Sequence, residues 1–438
     1  MDHITVRYIV EAVSGTLLCG DADTELKHIS IDSRSMRGAD LFVPLIGEKS
    51  DAHRFLVQAM DNGAAAALTS EHEAAPEGFH GALIQVKDTK LALQTIGRCL
   101  RARLSIPLVG ITGSVGKTTT REMVAAALSA KYKTFKTPAN HNSQIGVPLT
   151  ISEISENDEI GVLELGMSEP GEMAVIAEIA AVDSAVMTNI GVTHIENLGS
   201  RENILKEKLH IQDGMKAGGI LFVNGDNDML STVHAKAGCH TVRYGLGADN
   251  DYRAEDLSYP DGFPSFTMVH GEVRVPVKLT VMGEHNVMNA LAALAVADAY
   301  GVPLADAAEK LLEFGGFKNR QQIYHKNGYT IVDDTYNASP DSMKAAIGVL
   351  SSLPAGRRIA VLADMKELGE NTIQFHREVG AFLAEKPVDI LVVYGELAQA
   401  IAEGAKKVKP DLHVVSFEED EKEDMLDWLR SEEHTSEL

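Results

Sequence analysis

A single glycine-rich stretch limits the possible folds of this chain more than any other: residues 109–120 read VGITGSVGKTTT. The apolar run 106–111 suits a buried strand, and the amphipathic segment 121–128 suits a helix. A strand, a glycine loop and a helix start make a phosphate cradle, because backbone N–H groups and the positive helix end face the anion. Lys117 would then reach the outer phosphates, while the Thr118 hydroxyl could hold Mg²⁺. We therefore predict nucleotide binding by a loop that comprises Gly113, Ser114, Gly116, Lys117, Thr118 and Thr119.

The glycine spacing of this loop is not the common one. The common phosphate loop has a glycine five positions before Gly116. This chain has Ile111 there, with glycines at positions 110 and 113 instead. Since many unrelated activities use a phosphate loop, the loop predicts a nucleotide but not the reaction.

The length and net charge of the chain indicate several domains and argue against a nucleic-acid-binding protein. A chain of 438 residues is too long for one ordinary core, so we expect two or three domains. Its formal net charge of −23 argues against nucleic-acid binding, which needs clustered Lys and Arg. The sequence has no signal-peptide pattern and no stretch near the ~20 apolar residues that span a bilayer. We accordingly expect a cytoplasmic protein without membrane insertion.

Three α/β territories follow one another along the chain. We expect an N-terminal domain over residues 1–105, a central domain over 106–317 and a C-terminal domain over 318–429. In the central domain apolar runs alternate with helical stretches, which is typical of a mostly parallel sheet with helices on both faces. The C-terminal territory repeats the α/β pattern with apolar runs at 329–332, 358–362 and 390–393.

The last nine residues, 430–438, read RSEEHTSEL and do not continue this pattern. They resemble the translation of a common sequencing-library adapter. We therefore predict that they are a non-native tail and that the C-terminal domain is truncated. An ordinary polar tail is the alternative.

Two polar side chains follow apolar strands. Glu164 ends the apolar run 160–165 just before a glycine, where open α/β sheets place their ligands, and is a candidate Mg²⁺ ligand. His194 lies in a polar cluster after the run 184–190, and it is either a ligand or a satisfied loop histidine. Lys208 lies in the helical segment 202–211 and by itself indicates only a surface lysine.

Two further segments carry polar groups suited to ligands. Asn286 and Asn289 share one face of an alanine-rich helix, so they could reach an adenine edge or a phosphate, or one of them could cap the helix. Arg34 in the N-terminal territory could bind a diphosphate through its planar fork or stand solvated in a loop.

Together with the loop, three stretches resemble the Mur ligases, the ATP-dependent amide-forming enzymes of peptidoglycan precursor synthesis. They are TPANHNSQIG at 137–146, DDTYNASPDS at 333–342 and LADMKELG at 362–369. The resemblance extends to about residue 429, and the unusual glycine spacing is the family's variant. Because an Asp-Asn-Pro-Arg motif is absent, it favours the branch that adds D-alanyl-D-alanine to UDP-N-acetylmuramoyl-tripeptide. It implies a UDP-sugar-binding N-terminal domain, a central ATPase domain and a Rossmann-like C-terminal domain.

The resemblance also implies residue roles. Lys117 and Thr118 would hold the phosphates and the first of two Mg²⁺ ions with help from Glu164, and His194 would bind the second ion. Lys208 matches a lysine that several members carry as a carbamate. The implied nucleotide-holding residues are Asn286, Asn289, Arg320 and Asp334. The implied substrate residues are Ser33 and Arg34 for the UDP-sugar, and Asn140, Asn142, Ser143, Tyr336 and Asn337 nearer the peptide.

The implied reaction has two steps. The tripeptide carboxylate attacks the γ-phosphate of ATP, and the amine of D-alanyl-D-alanine then displaces phosphate from the acyl phosphate. The chain departs from the family at Ala52, Ala139 and Ala363, where glycine is usual, and at positions 209 and 210, which hold Leu-His instead of Gly-Glu. Two rivals stay open: another ligase such as a folylpolyglutamate synthetase, and a phosphate-loop NTPase switch. A monomer is expected.

Overall fold

The computed structural model describes residues 1, 3–326 and 328–435. It confirms the predicted α/β class: three separate regions of sheet follow one another along the chain, each packed against helices. Within the described residues, no helix is both long enough and apolar enough to cross a bilayer.

The N-terminal region is built on a five-stranded sheet in the order β2-β7-β6-β5-β4, parallel except for β2. Its strands are β1 Ile4–Thr5, β2 Thr16–Cys19, β3 Glu25–Leu26, β4 His28–Ser30, β5 Asp40–Phe42, β6 Ala64–Thr69 and β7 Ala82–Gln85. Its helices are α1 Val6–Val13, α2 Leu56–Asp61 and α3 Thr89–Arg103, with a 3₁₀ turn at Ala52–Phe55. Strands β1 and β3 form a separate antiparallel pair.

Helix α3 fixes this region to the central one. Asp88 caps its first turn by accepting from the Leu91 N–H (2.9 Å). Near its end the buried Arg101 donates to the Ala180 carbonyl (2.9 Å) and pairs with Asp183 (2.9 Å). A buried arginine that bonds to a carbonyl and a carboxylate of the central region holds the two regions in one arrangement.

The central region is a nine-stranded sheet in the order β16-β15-β14-β13-β12-β11-β8-β10-β9. Its strands are β8 Leu108–Thr112, β9 Thr134–Lys136, β10 Ile160–Glu164, β11 Ser184–Met187, β12 Ile220–Asn224, β13 His240–Gly245, β14 Tyr252–Ser258, β15 Ser265–His270 and β16 Val273–Lys278. Its helices are α4 Lys117–Leu128, α5 Gly146–Glu153, α6 Glu172–Ala180, α7 Ile195–Leu198, α8 Arg201–Leu209, α9 His285–Ala299 and α10 Leu304–Leu311, with 3₁₀ turns at His210–Gln212 and Pro260–Gly262. The pairs β14–β15 and β15–β16 are antiparallel, and the other pairs are parallel.

The chain order reverses around β8. Strands β10 and β9 lie on one side of it, and β11 and β12 lie on the other. In parallel sheets of this kind the ligand crevice opens at the carboxyl ends of the strands beside such a reversal. The register aligns Glu164 with Ile111 and Met187 with Thr112, so three strands end at one edge. The glycine loop leaves β8 at this point.

The C-terminal region contains a three-stranded parallel sheet and a separate hairpin. The strands are β17 Gln322–Lys326 and β18 Tyr329–Asp333 in the hairpin, and β19 Ile359–Ala363, β20 Ile390–Tyr394 and β21 His413–Phe417 in the sheet. The helices are α11 Pro340–Ser352, α12 Thr372–Ala384, α13 Gln399–Val408 and α14 Lys422–Thr435, with a 3₁₀ turn at Gly369–Asn371. The first apolar run of this territory, 329–332, therefore pairs in a hairpin and not in the parallel sheet.

The predicted tail 430–438 falls partly within helix α14, which is helical to Thr435. Its residues 436–438 lie outside the described part of the chain. The non-native origin of this segment stays a prediction.

Candidate functional site

The glycine loop is braced by the end of the neighbouring strand β11. Gly113 and Gly116 have φ values of 153° and 84°, which favour glycine. Thr188 donates its hydroxyl to the Val115 carbonyl (2.6 Å), and Asn189 Oδ1 accepts from the Val115 N–H (2.9 Å). Helix α4 begins at Lys117, so the lysine and threonine of the loop lie in its first turn. The loop is thus a preformed cradle whose helix N-terminus faces the cleft.

A cleft of about 520 Å³ lies between the central and C-terminal regions at this loop. It brings together most of the residues that the sequence singled out. The predicted residues that line it are Ser114, Gly116, Lys117, Thr118, Thr119, Asn142, Ser143, Glu164, His194, Asn286, Asn289, Arg320, Asp334, Tyr336 and Asn337.

Five predicted residues do not line this cleft. Gly113 contributes its carbonyl, which accepts from Lys117 Nζ (2.8 Å). Lys208 is buried and is not among the lining residues. Ser33 and Arg34 belong to the N-terminal region, where Ser33 donates to Gln58 (3.1 Å) and the exposed Arg34 pairs with Asp32 (2.9 Å). Asn140 also lies outside the lining residues.

Glu164 stands in a buried polar cluster that the sequence did not reveal. Arg121, 1% exposed, pairs with Glu164 Oε2 (3.1 Å) and with Glu122 (2.7 Å), and donates to the Ala139 carbonyl (2.8 Å). Asn142 donates to the other Glu164 oxygen (2.8 Å). Because Arg121 follows Lys117 by four residues, it shares the helix face of the loop lysine, and this spacing is the signal that could have identified it.

Two lysines, Lys117 and Lys208, lie near enough to each other for their charges to interact. Lys208 is 1% exposed, so the prediction of a surface lysine from its local sequence is wrong. Helix α8 turns it inward together with Ile204 and Glu207. Burial, and then the charge of Lys117, lower the pKa of Lys208 well below its ordinary value. Burial also lowers the pKa of Lys117, which Glu164 partly offsets.

His194 meets a residue of the C-terminal region. Its Nδ1 contacts the carboxylate of Glu367, and Glu367 also accepts from the Glu196 N–H through its carbonyl (3.3 Å). Burial lowers the pKa of His194, and the Glu367 carboxylate raises it. Glu367 belongs to the motif LADMKELG, but no local pattern indicates that it would reach His194, 173 residues away.

Asn286 and Asn289 of helix α9 link that helix to helix α4, which follows the loop. Asn289 accepts from the Thr120 hydroxyl (2.9 Å) and donates to Asn286 (2.9 Å), which donates to the Met282 carbonyl (2.7 Å). Neither residue caps the helix, because α9 begins at His285 and Glu284 holds the cap position. The predicted cap alternative is therefore wrong, and Asn289 instead bonds to the first turn of helix α4, which follows the loop.

Residues of the C-terminal region line the cleft together with the loop. The Arg320 guanidinium lies 4.1 Å from the centroid of the Tyr336 ring, which is a cation–π geometry. Burial raises the pKa of Asp334. A planar cationic and aromatic pair next to a carboxylate suits the base and sugar of a nucleotide whose phosphates lie on the loop.

The oxygen donors fit a Mg²⁺ ion that also binds phosphate. Among the described residues there is no group of three or more His, Cys, Asp or Glu that could hold a metal ion, so an all-protein cage is absent from this part of the chain. Mg²⁺ instead prefers one or two protein oxygens completed by phosphates and water. Thr118 and Glu164 offer a hydroxyl and a carboxylate in the same cleft, and two bonds leave the carboxylate further acceptor capacity.

Family models match three parts of the chain. The matches are "Mur ligase family, catalytic domain" over residues 25–102, "Mur ligase middle domain" over 111–297 and "Mur ligase, glutamate ligase domain" over 319–432.

Individual relatives extend the match. The chain is 41% identical over 409 residues to the UDP-N-acetylmuramoyl-tripeptide–D-alanyl-D-alanine ligase of Bacillus subtilis (strain 168), covering 92% of this chain and 88% of that one. It is similar to the crystal structure of MurF from Acinetobacter baumannii, with a TM-score of 0.88, 32% identity, and coverage of 98% of this chain and 93% of that one. The MurF ligase of Thermotoga maritima in complex with ADP gives a TM-score of 0.77 at 30% identity, with coverage of 90% and 93%.

Proposed function

The chain belongs to the Mur ligase family, and from this premise we infer that it is an ATP-dependent ligase that joins D-alanyl-D-alanine to UDP-N-acetylmuramoyl-tripeptide in peptidoglycan precursor synthesis. The observation that carries the inference is the single cleft in which the phosphate loop meets Arg320, Asp334 and Tyr336 of the C-terminal region. The names of the relatives indicate the substrates, and the residues that line the cleft indicate how ATP would be bound.

In the first step, an oxygen of the tripeptide carboxylate attacks the γ-phosphorus of ATP. The bond from that phosphorus to the bridging oxygen breaks, and ADP leaves. The helix N-terminus at the loop and Lys117 face the phosphates, so they stabilise the charge that develops on the transferred group. The product is an acyl phosphate.

In the second step, the neutral amine of D-alanyl-D-alanine attacks the acyl carbon. The C–O bond to phosphate breaks, the amine loses a proton and the amide forms. Residues of the C-terminal region line the same cleft as the loop, and we propose that this region excludes water that would hydrolyse the acyl phosphate. No Ser or Cys nucleophile takes part in this scheme.

We propose that Mg²⁺ is held by Thr118 and Glu164, with His194 for a second ion. When bound, Mg²⁺ neutralises phosphate charge during transfer. We also propose that Lys208 carries a carbamate. A buried lysine whose pKa is lowered supplies the neutral amine that reacts with carbon dioxide, and mass measurement of the intact chain tests this.

Several sequence-based expectations enter the proposal unchanged. Ser33 and Arg34 would bind the UDP-sugar, and Asn140, Asn142 and Ser143 would face the peptide. The domain limits are those given from the sequence, at 1–105, 106–317 and 318–429. The enzyme is proposed to act in the cytoplasm as a monomer.

The test is release of ADP by the full chain, with each substrate omitted in turn. We expect release only when both UDP-N-acetylmuramoyl-tripeptide and D-alanyl-D-alanine are present. Hydrolysis that ignores both would favour an NTPase switch, and release with folate and glutamate would favour the folylpolyglutamate-type ligase. Substrate-dependent melting shifts without ADP release would indicate that the altered C-terminus permits binding but not turnover.

A further inference from the structure

The segment 192–196 of the central region is packed into the C-terminal region. Val192 packs against the apolar cluster of that region, which includes Met365 and Leu368. The Glu196 N–H donates to the Glu367 carbonyl (3.3 Å). A Cβ added at Gly369 would lie 3.3 Å from Glu196 Cα, so a glycine permits this close approach. The backbone of His194 is thus held by the C-terminal region on both sides.

His194 and Glu367 share an unusual backbone conformation. Their φ values are 63° and 62°, in the left-handed region that non-glycine residues adopt only at an energetic cost. Residues held in this way cluster where a side chain must take one direction. Here the two meet each other, because His194 Nδ1 contacts the Glu367 carboxylate across the interface.

From this geometry we infer that Glu367 is a positioning residue for His194, and that docking of the C-terminal region sets the imidazole for catalysis. The inference rests on the proposed function, which gives His194 its place in the reaction. The carboxylate accepts the proton of Nδ1 and thereby fixes the neutral tautomer with Nε2 unprotonated. His194 lines the cleft, and because Nδ1 faces Glu367, Nε2 is the ring nitrogen left to bind a ligand. Docking of the C-terminal region onto the central region would then also orient the His194 ring.

Glu367 is the group placed to accept the Nδ1 proton of His194. Lys117 and Lys208 also act on the pKa of His194, and both lower it. The group whose oxygen contacts Nδ1 is the carboxylate of Glu367. Removing the Glu367 carboxylate therefore removes the acceptor that selects the tautomer, while the loop and the nucleotide wall stay in place.

The test compares Glu367→Ala, Glu367→Gln and the control Glu370→Ala in the full chain. We expect Glu367→Ala to lower kcat about 10- to 100-fold with the KM for ATP and the Kd for ADP changed by no more than about twofold, which is the range seen when a histidine loses its supporting carboxylate. Glu367→Gln should recover part of kcat, since an amide oxygen can still accept. Glu370→Ala, an exposed neighbour, should behave as the wild type.

Nitrogen-15 NMR of histidine side chains supplies a second readout that needs no turnover. With ADP bound, the His194 signal, assigned by its loss in His194→Asn, should report the Nδ1–H tautomer in the wild type and a different state in Glu367→Ala. An unchanged tautomer, or an unchanged kcat, would overturn the inference. A tautomer change in an enzyme that releases no ADP with either substrate would instead overturn the proposed function and leave the contact standing.

Discussion

Replacing Arg121 by Met should destabilise the central region by about 3–5 kcal/mol, the range for removing one partner of a buried ion pair. Arg121 is 1% exposed and makes bonds to Glu122, to the Ala139 carbonyl and to Glu164. Glu122 keeps Lys136 as a partner after the change. Glu164 keeps Asn142 as a hydrogen-bond donor and keeps its charge interaction with Lys117, but the buried carboxylate loses the guanidinium that pairs with it directly. The stability loss therefore comes mainly from Glu164.

Urea unfolding followed by far-ultraviolet circular dichroism measures this loss. The chain has one tryptophan, Trp428, and it lies in helix α14 of the C-terminal region. Its fluorescence thus reports the C-terminal region, whose midpoint should move less than that of the dichroism signal. Arg98→Met, which breaks the partly exposed pair with Glu178, should cost less than about 1 kcal/mol.

A double mutant tests the reason for the loss. In Glu164→Gln the neutral amide no longer needs Arg121, so the double change Arg121→Met with Glu164→Gln should cost less than the sum of the single changes by about 1–3 kcal/mol. Additive costs, or an Arg121→Met variant as stable as Arg98→Met, would refute the account of this cluster.

Three further predictions concern single side chains. Lys117→Met should weaken ATP binding about 10- to 100-fold, as expected for a lost charged hydrogen bond, when measured by calorimetry. Lys208→Met should lower kcat about 10- to 100-fold, because the variant lacks the side chain that is proposed to carry the carbamate; an unchanged kcat would contradict that role. Burial lowers the pKa of His285 from 6.5 to about 4, so its contribution is complete above pH 6.5 and is lost as the pH falls toward 4. Relative to His285→Gln, the wild type should lose about 2–3 kcal/mol of stability between pH 6.5 and 4.5, and equal losses would contradict the burial of this ring.

Local pattern was enough to predict the nucleotide end of the site. The strand, the glycine loop and the helix are consecutive in sequence, and each has its own periodicity or turn chemistry. The end of strand β10 placed Glu164 at the crevice because parallel strands end together at one edge. These features depend on residues that are close together in the chain, so they could be predicted from the local sequence.

The remaining features depend on contacts between distant residues. Lys208 is buried because helix α8 packs behind the loop, where Glu207 accepts from the Met173 N–H (2.9 Å), and its own polar sequence gives no sign of this. The contact of His194 with Glu367 arises only when two regions dock. The hairpin of β17 and β18 likewise has apolar residues that fit a sheet strand equally well. Sequence periodicity specifies an element and its faces, but not its partner.

The central claim is that ATP activates the tripeptide carboxylate as an acyl phosphate, and isotope transfer tests it most directly. The substrate is UDP-N-acetylmuramoyl-tripeptide in which both oxygens of the carboxylate that is to be joined are oxygen-18, and the phosphate released is analysed by mass spectrometry. Because an oxygen of that carboxylate attacks the γ-phosphorus and leaves with it, each phosphate released should carry one oxygen-18 atom. Unlabelled phosphate accompanying amide formation would contradict the account.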